Sequence, residues 1–182
     1  MSPRIAVAVL GASLLCVGLA GAQQPAPAFP TPSAPYPLDG VPEKMPFDVP
    51  YGPPISLDKA QAAIAAAIAE SKKHDWKEII AVVDSGGNLV ALQRMDGGQL
   101  AGATIAEHKA RAAVLFRRDT KAFETGIQQG GFLYLLTLDG MTGARAGIPL
   151  VEGGKIIGGI GCSGGTGSQD EVICKAGAAT VK

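Results

Sequence analysis

Histidine is almost missing from this chain: there are two in 182 residues, alongside three cysteines and one tryptophan. That scarcity excludes the zinc sites built from repeated Cys and His, and no H-E-x-x-H run is present. No Ser-His-Asp order argues for a hydrolase either. Charge of one sign is also lacking, since sixteen Lys and Arg face sixteen Asp and Glu for a formal net charge of zero. Binding along a phosphate backbone or an anionic bilayer needs a concentrated positive field, so neither nucleic acid nor such a membrane is an expected partner.

Glycine and proline, by contrast, are abundant at 25 and 13 residues, and their placement divides the chain. Arg4 precedes an uncharged apolar run, Ile5 to Leu19, and Ala20-Gly21-Ala22 then has the A-x-A form that a signal peptidase cleaves. The run is shorter than the ~20 residues a membrane-spanning helix needs. Leu15 stands before Cys16, where lipidation requires a small residue. Residues 1–22 therefore read as a signal peptide, and the product as periplasmic or secreted, starting at Gln23 with no membrane span after cleavage. Loss of Arg4 leaves the charge near −1. The remaining cysteines, Cys162 and Cys174, then sit in a compartment that permits disulfides. Two packed thiols are expected, with a single bridge as the alternative.

Residues 23–54 hold eleven prolines in 32 positions and no period of 2 or 3.6. Such a segment cannot bury enough surface to offset its ordering entropy and reads as an extended linker. The folded domain is expected over 55–182. Ser56 is a candidate N-cap, and Leu57, Ile64 and Ile68 put an apolar stripe on a helix continuing to about Lys73. Two apolar runs, Ile79–Val83 and Leu89–Gln93, flank Asp84-Ser85-Gly86-Gly87-Asn88 and predict a hairpin. From about Thr104 to Arg118 the period is again helical. With Ile105 at its centre, the apolar side takes Ala112, Ala113 and Phe116, places Lys109 near its middle and puts His108 at its edge. Phe132–Leu138, "FLYLLTL", suits a buried strand or a helix segment. Ile148–Glu152, a Gly153-Gly154 turn and Lys155–Cys162 predict a second hairpin. Ser168-Gln-Asp-Glu171 has the form of a capping box opening a last helix. Two hairpins with helices between them point to an antiparallel sheet with helices packed on it, not a doubly wound parallel sheet.

Gly159, Gly161 and Gly164 match the spacing G-x-G-x-x-G, the mark of a dinucleotide loop. Only 18 residues follow Gly164, too few for the further strands such a fold requires, and the G-K-[ST] ending of a P-loop is missing. Glycines at 158, 159 and 161 inside a strand pattern instead mark close approach by another backbone or a flat ligand, or a bulge. Gly164, Gly165 and Gly167 shape the turn into the last helix.

Four segments in register, "IIAVVDSGGNLVALQRMDG", "TIAEHKARAA", "GGKIIGGIGCSGG" and "SQDEVICKAG", resemble the haem-binding GlcG/HbpS-type family, also called the haem-degrading domain family. The resemblance covers Leu57 to Ala178. It implies an α/β (α+β) domain of profilin-like or PAS-like kind, an antiparallel sheet with flanking helices, and assembly into homo-oligomers. It also implies binding of haem or a similar flat small molecule, in some members with iron release. The chain departs from the family pattern at Ala146-Gly147-Ile148-Pro149, where Gly-Gly-x-Pro is usual, and at Cys162, where valine is usual. No axial ligand transfers by motif.

Haem asks for an iron ligand, an apolar slot and cations for its propionates. His108, beside Lys109 and near Arg111, is the candidate iron ligand, with a partly buried, hydrogen-bonded histidine as the structural alternative. His74, after Lys72-Lys73 at a helix end, reads as a solvated cap. Lys109, facing a core, must be paired, snorkel or serve a site. Asp84, Asp96, Asp170 and Glu171 are its possible partners, and a catalytic or ligand-facing role is the other reading. Arg94 is a candidate propionate contact or a turn contact with Asp96. Ser163 lies where exposed backbone N–H groups meet an anionic ligand. Cys162 is a weaker soft-metal candidate, and Asp170 with Glu171 primarily a favourable charge pair at a helix start. The expected function is thus an exported, oligomeric haem binder that degrades or senses haem. The alternatives are a small-molecule enzyme using Lys109 with a carboxylate as acid and base, or a non-catalytic accessory module.

Overall fold

The computed structural model of the chain describes residues 40–41 and 43–182. The expected signal peptide, its cleavage site and most of the Pro-rich segment lie outside the described residues. Within 43–182 the elements are α1 (Leu57–Lys73), β1 (Ile79–Asp84), β2 (Leu89–Arg94), α2 (Gly102–Leu115), α3 (Lys121–Gln128), a 3-10 turn (Leu133–Thr137), β3 (Gly147–Glu152), β4 (Lys155–Ser163) and α4 (Gly167–Ala178). The strands form one antiparallel sheet in the order β2-β1-β4-β3, so each hairpin contributes two neighbours and the two hairpins join through β1 and β4. The expected α+β class and antiparallel sheet are what the chain adopts.

β1 is buried on both faces, which explains its unbroken apolar sequence. Ile80 and Val82 face a core shared with Ala60, Ala63, Ile64 and Ala67 of α1 and Ile173 of α4. Ile79, Ala81 and Val83 face α2 through Ala106, Ala110 and Val114. The sheet is therefore the middle of three layers. Each Ile or Val buried in this way contributes about 1.5–3 kcal/mol. Ser56 caps α1 by accepting from the Lys59 N–H, and Asp58 and Lys72–Lys73 stand at the ends that the helix dipole favours.

The strand glycines serve a neighbouring backbone. A Cβ on Gly161 would stand 2.0 Å from the Ala106 carbonyl oxygen, and one on Gly147 2.1 Å from that of Lys109. Helix α2 thus lies against β4 and β3 at a distance that only glycine permits, with alanines on its own side of the contact. A flat ligand is not what approaches here, because α2 fills the space.

Several local expectations need correction. The capping box is formed by Thr166 and Gln169, not by Ser168 and Glu171; both reciprocal bonds are present two residues earlier. Ile105 is 37% exposed, and the buried stripe of α2 runs through Ala106, Lys109, Ala110 and Ala113. Helix α3 was not expected at all. Its eight residues pack Phe123 inward, leave Glu124, Gly126 and Ile127 half-buried and expose the rest. Phe132–Leu138 is neither strand nor α-helix: Leu133–Thr137 is a 3-10 turn that buries only Leu135. Cys162 and Cys174 are joined in a disulfide with Cα atoms 5.7 Å apart, so the expectation of two packed thiols gives way to its alternative. β4 and α4 bring the pair together from opposite sides of one core, a juxtaposition that twelve residues of separation conceal.

The end of the Pro-rich segment is extended and pinned. Tyr51 bridges Ile156 in parallel, and its hydroxyl donates to the Val114 carbonyl at 3.0 Å. The Phe47 ring lies under the Arg118 guanidinium at 3.3 Å.

Candidate functional site

Helix α2 presents two chemistries from adjacent residues. Its inner face carries Lys109, 2% exposed. Its outer face carries His108, Arg111 and Leu115, spaced i, i+3 and i+7 so that they share one side. This outer face meets the loop Asp139-Gly140-Met141-Thr142 across a cleft of about 520 Å³. Two glycines set its walls. Gly87, in the β1–β2 turn with φ +81°, leaves room for the Arg111 stem, and Gly140, with φ +75°, lets the loop approach the Leu115 side chain.

Neither His108 nor Arg111 has a side-chain hydrogen bond or ion pair with any described residue. An unpaired imidazole and an unpaired guanidinium, one turn apart, therefore open into one cleft beside a thioether and a leucine side chain. A donor nitrogen, a soft sulfur, apolar surface and one cation form the set that haem requires, and the residues present fit that group.

Lys109 belongs to a different environment. Its ammonium donates to Asp170 Oδ2 at 2.7 Å and to the Cys162 carbonyl at 2.9 Å, and both side chains are almost fully buried. Of the partners considered from sequence, Asp170 is the one it meets. The other Asp170 oxygen accepts from the Gly165 N–H at 3.0 Å. Beside them lies Glu78, which sequence reasoning passed over. It is fully buried, and neither carboxylate oxygen has a hydrogen-bond partner. Burial, and then the negative charge of Asp170, push its carboxyl up to about 8, against an opposing pull from Lys109. Its signal in the sequence was slight: an acid immediately before a run buried on both faces has nowhere polar to go.

The remaining candidates are dispersed. Arg94 lines a second cleft, of about 390 Å³, with Ile68, Lys72, Lys77, Gln93, Met95 and Asp96. It forms no hydrogen bond or ion pair with Asp96, so the expected turn contact is not formed among the described residues. Ser163 ends β4, 3% exposed, with its carbonyl against Gly102. His74 caps α1, stacks on Trp76 at 4.3 Å between centroids and lies 3.3 Å from Glu70. Glu171 is buried and matched by Lys121, Arg145 and Lys175, whose bonds outweigh its burial and hold its carboxyl below the usual range. No group of three or more His, Cys, Asp or Glu able to hold a metal ion occurs among the described residues. No helix among them is long and apolar enough to cross a membrane.

Residues 55–179 match the family model described as haem degrading protein, HbpS-like. Protein GlcG of Escherichia coli strain K12 is 42% identical over 109 residues, spanning 60% of this chain and 81% of GlcG. A double mutant of Streptomyces reticuli HbpS superimposes with a TM-score of 0.65 at 26% identity, over 79% of this chain and 97% of that one. The crystal structure of a PduOC:haem complex has a TM-score of 0.64 at 24% identity, over 71% and 96% of the two chains, a likeness that concerns the fold.

Proposed function

This chain belongs to the HbpS-like family of haem degrading proteins, and on that premise we propose that it is an exported, oligomeric haem-binding protein. The single observation that carries the reading is the cleft beside α2, where His108 and Arg111 stand unpaired among Leu115, Met141 and Thr142. In this assignment His108 would hold the iron, Arg111 would pair with a propionate, and Leu115 and Met141 would supply apolar contact. Haem, when bound, supplies an iron centre whose reactivity is set by its ligand and by the polarity around it. The chain's own part is to orient the group and to present Arg111 without an ion-pair partner, although Asp139 lines the same cleft.

Export is supported by the bridge between Cys162 and Cys174, since such bonds persist in oxidising compartments. Oligomerisation is supported by Leu133, Tyr134, Leu136 and Leu138, which are 64%, 45%, 61% and 39% exposed on one short segment. Degradation and sensing both begin from the bound state, so binding is the step to test. Adding haem to the purified protein is expected to shift the Soret band with saturable stoichiometry. His108→Ala removes the shift, and Arg111→Gln weakens binding roughly tenfold, the loss of about one charge-assisted hydrogen bond. Arg94→Gln, in the other cleft, leaves it unchanged. A wild-type protein that gives no shift at micromolar haem refutes the proposal, and a normal shift in His108→Ala refutes the ligand assignment.

A further inference from the structure

We infer that Glu78, Asp170 and Lys109 form a proton-controlled latch on the β4–α4 junction, closed while Glu78 carries a proton and released when the proton leaves. The inference stands on burial and geometry, whatever occupies the cleft. Two carboxyl groups and one ammonium are sealed together, with Glu78 fully buried and the Lys109 and Asp170 side chains 3% and 4% exposed. Lys109 matches one negative charge and is committed to Asp170. Both Glu78 oxygens lack hydrogen bonds, an arrangement tolerable for a neutral carboxylic acid and costly for a carboxylate.

The charged groups facing Glu78 come from each element around it. Helix α2 supplies Lys109, helix α4 supplies Asp170, and the β4–α4 loop supplies the Gly165 N–H. Its chain neighbour Lys77 pairs with the exposed Asp75 instead. With the proton on Glu78 the cluster is neutral. When the proton goes to solvent, one negative charge is left unmatched and buried beside Asp170.

The loop is the part able to yield. Gly164 and Gly165 form the lid directly over Glu78: a Cβ on Gly164 would stand 2.9 Å from Glu78 Cδ, and one on Gly165 3.2 Å from Oε1. Asp170 is at once the ammonium's partner and the clamp on the Gly165 N–H, so repulsion between the two carboxylates acts on the bond that holds the lid. β1 and α2 are fixed by the core on both faces of the sheet. The Cys162–Cys174 bridge anchors α4 to β4 beyond the loop, which confines the opening to about residues 163–170. Lys109 also adjoins His108, so the latch and the cleft are attached to the same helix.

The direction follows from where the proton binds more tightly. Glu78 holds its proton up to about 8 in the folded chain, against 4.5 as an ordinary glutamate. Once the loop opens Glu78 meets water and titrates as an ordinary glutamate, so the latch is tightest at acidic pH, and the open fraction grows by up to tenfold per pH unit from about 4.5 to about 8 and levels off above. Amide hydrogen exchange of the full chain, corrected for the intrinsic pH dependence of exchange, reads this directly. Protection of the amides at 164–169 is expected to fall by more than tenfold between pH 5.5 and 7.5 and to level off above about 8, while β1 amides stay protected. Glu78→Gln, a neutral isostere of the protonated acid, is expected to hold that protection flat over the same range. An equal fall in Glu78→Gln, or no fall in the wild type, overturns the latch. Should the variant fail to fold, the Glu78 side-chain carboxyl carbon in wild-type protein, followed by NMR, decides: a midpoint in the ordinary glutamate range overturns the proposal, and one near neutrality or above sustains it.

Discussion

Replacing Lys109 by methionine isolates the charge of the buried pair. Methionine keeps the length and most of the volume of the side chain, so the loss reports the ammonium and not a cavity. Among the described residues that ammonium is the only cation paired with Asp170, and it also satisfies the Cys162 carbonyl. Its removal leaves a carboxylate that is 4% exposed and holds only the Gly165 N–H. Breaking a buried pair from one side costs on the order of 3–5 kcal/mol, and the orphaned carbonyl falls within that figure. At pH 7 Glu78 still holds its proton, so one carboxylate is stranded, not two. Urea denaturation with the disulfide intact is the assay, and the midpoint should fall with an unchanged m-value. Adding Asp170→Leu to Lys109→Met should restore most of the loss, because an apolar pair of similar volume replaces a buried ion pair at little net cost, and Gly165 is exposed enough for water to take its N–H. A loss below about 1 kcal/mol for Lys109→Met, in a protein that remains folded, refutes this account and directs attention to a reactive lysine instead.

The glycine contact and the bridge make separate predictions. Gly161→Ala must push the new methyl against the Ala106 carbonyl, so it is expected to lower stability by roughly 3 kcal/mol and to broaden the amide signals of α2, whereas Gly153→Ala, in a turn with nothing within 4 Å, pays only for its positive φ, about 1 kcal/mol. Equal effects from the two substitutions would remove the close-approach argument. Replacing both Cys162 and Cys174 by serine is expected to lower stability by about 3 kcal/mol, from the short loop the bridge closes, as measured by thermal unfolding with and without reductant; an unchanged transition refutes it.

How much of this was legible depended on whether a feature is local. Ser56 and the alanine-rich stripe of α1, the hairpin around Gly86-Gly87, and the burial of Lys109 all follow from spacing within a dozen residues. The family segments were equally readable, and they led to the right fold. What failed was set by partners distant in the chain. Ile105 reads as the centre of a stripe on a helical wheel, yet α2 is turned so that Ala106 and Ala110 meet the strand glycines, and bulk would not fit there. Spacing alone favours two packed thiols over a single bridge, because it does not say that β4 and α4 lie over the same core. Glu78 carried no motif; its burial needs α2, α4 and the glycine loop together. Of the candidate site residues, His108 and Lys109 are neighbours in sequence, about 100° apart on one helix so that one turns outward and the other inward, while Arg94 lines another cleft and Ser163 is enclosed.

That opposition joins the two halves of the molecule. Glycine at 147, 159 and 161 brings the α2 backbone into contact with the sheet, and this depth allows a lysine stem at 109 to reach past the strand to the Cys162 carbonyl and Asp170. A helix seated higher would leave the ammonium short of its partners, or the acids without a match. The same seating fixes the rotation of α2, and a fixed rotation is what turns His108, Arg111 and Leu115 outward as one face toward residues 139–142. The glycine-rich strand thus acts on the cleft without lining it: it sets the height and turn of the helix, the buried ion pair locks that position, and the imidazole and guanidinium are presented as a consequence. Substitutions in the strand should accordingly alter ligand affinity and the stability of the ion pair together, whereas substitutions confined to the outer face of α2 should alter affinity alone.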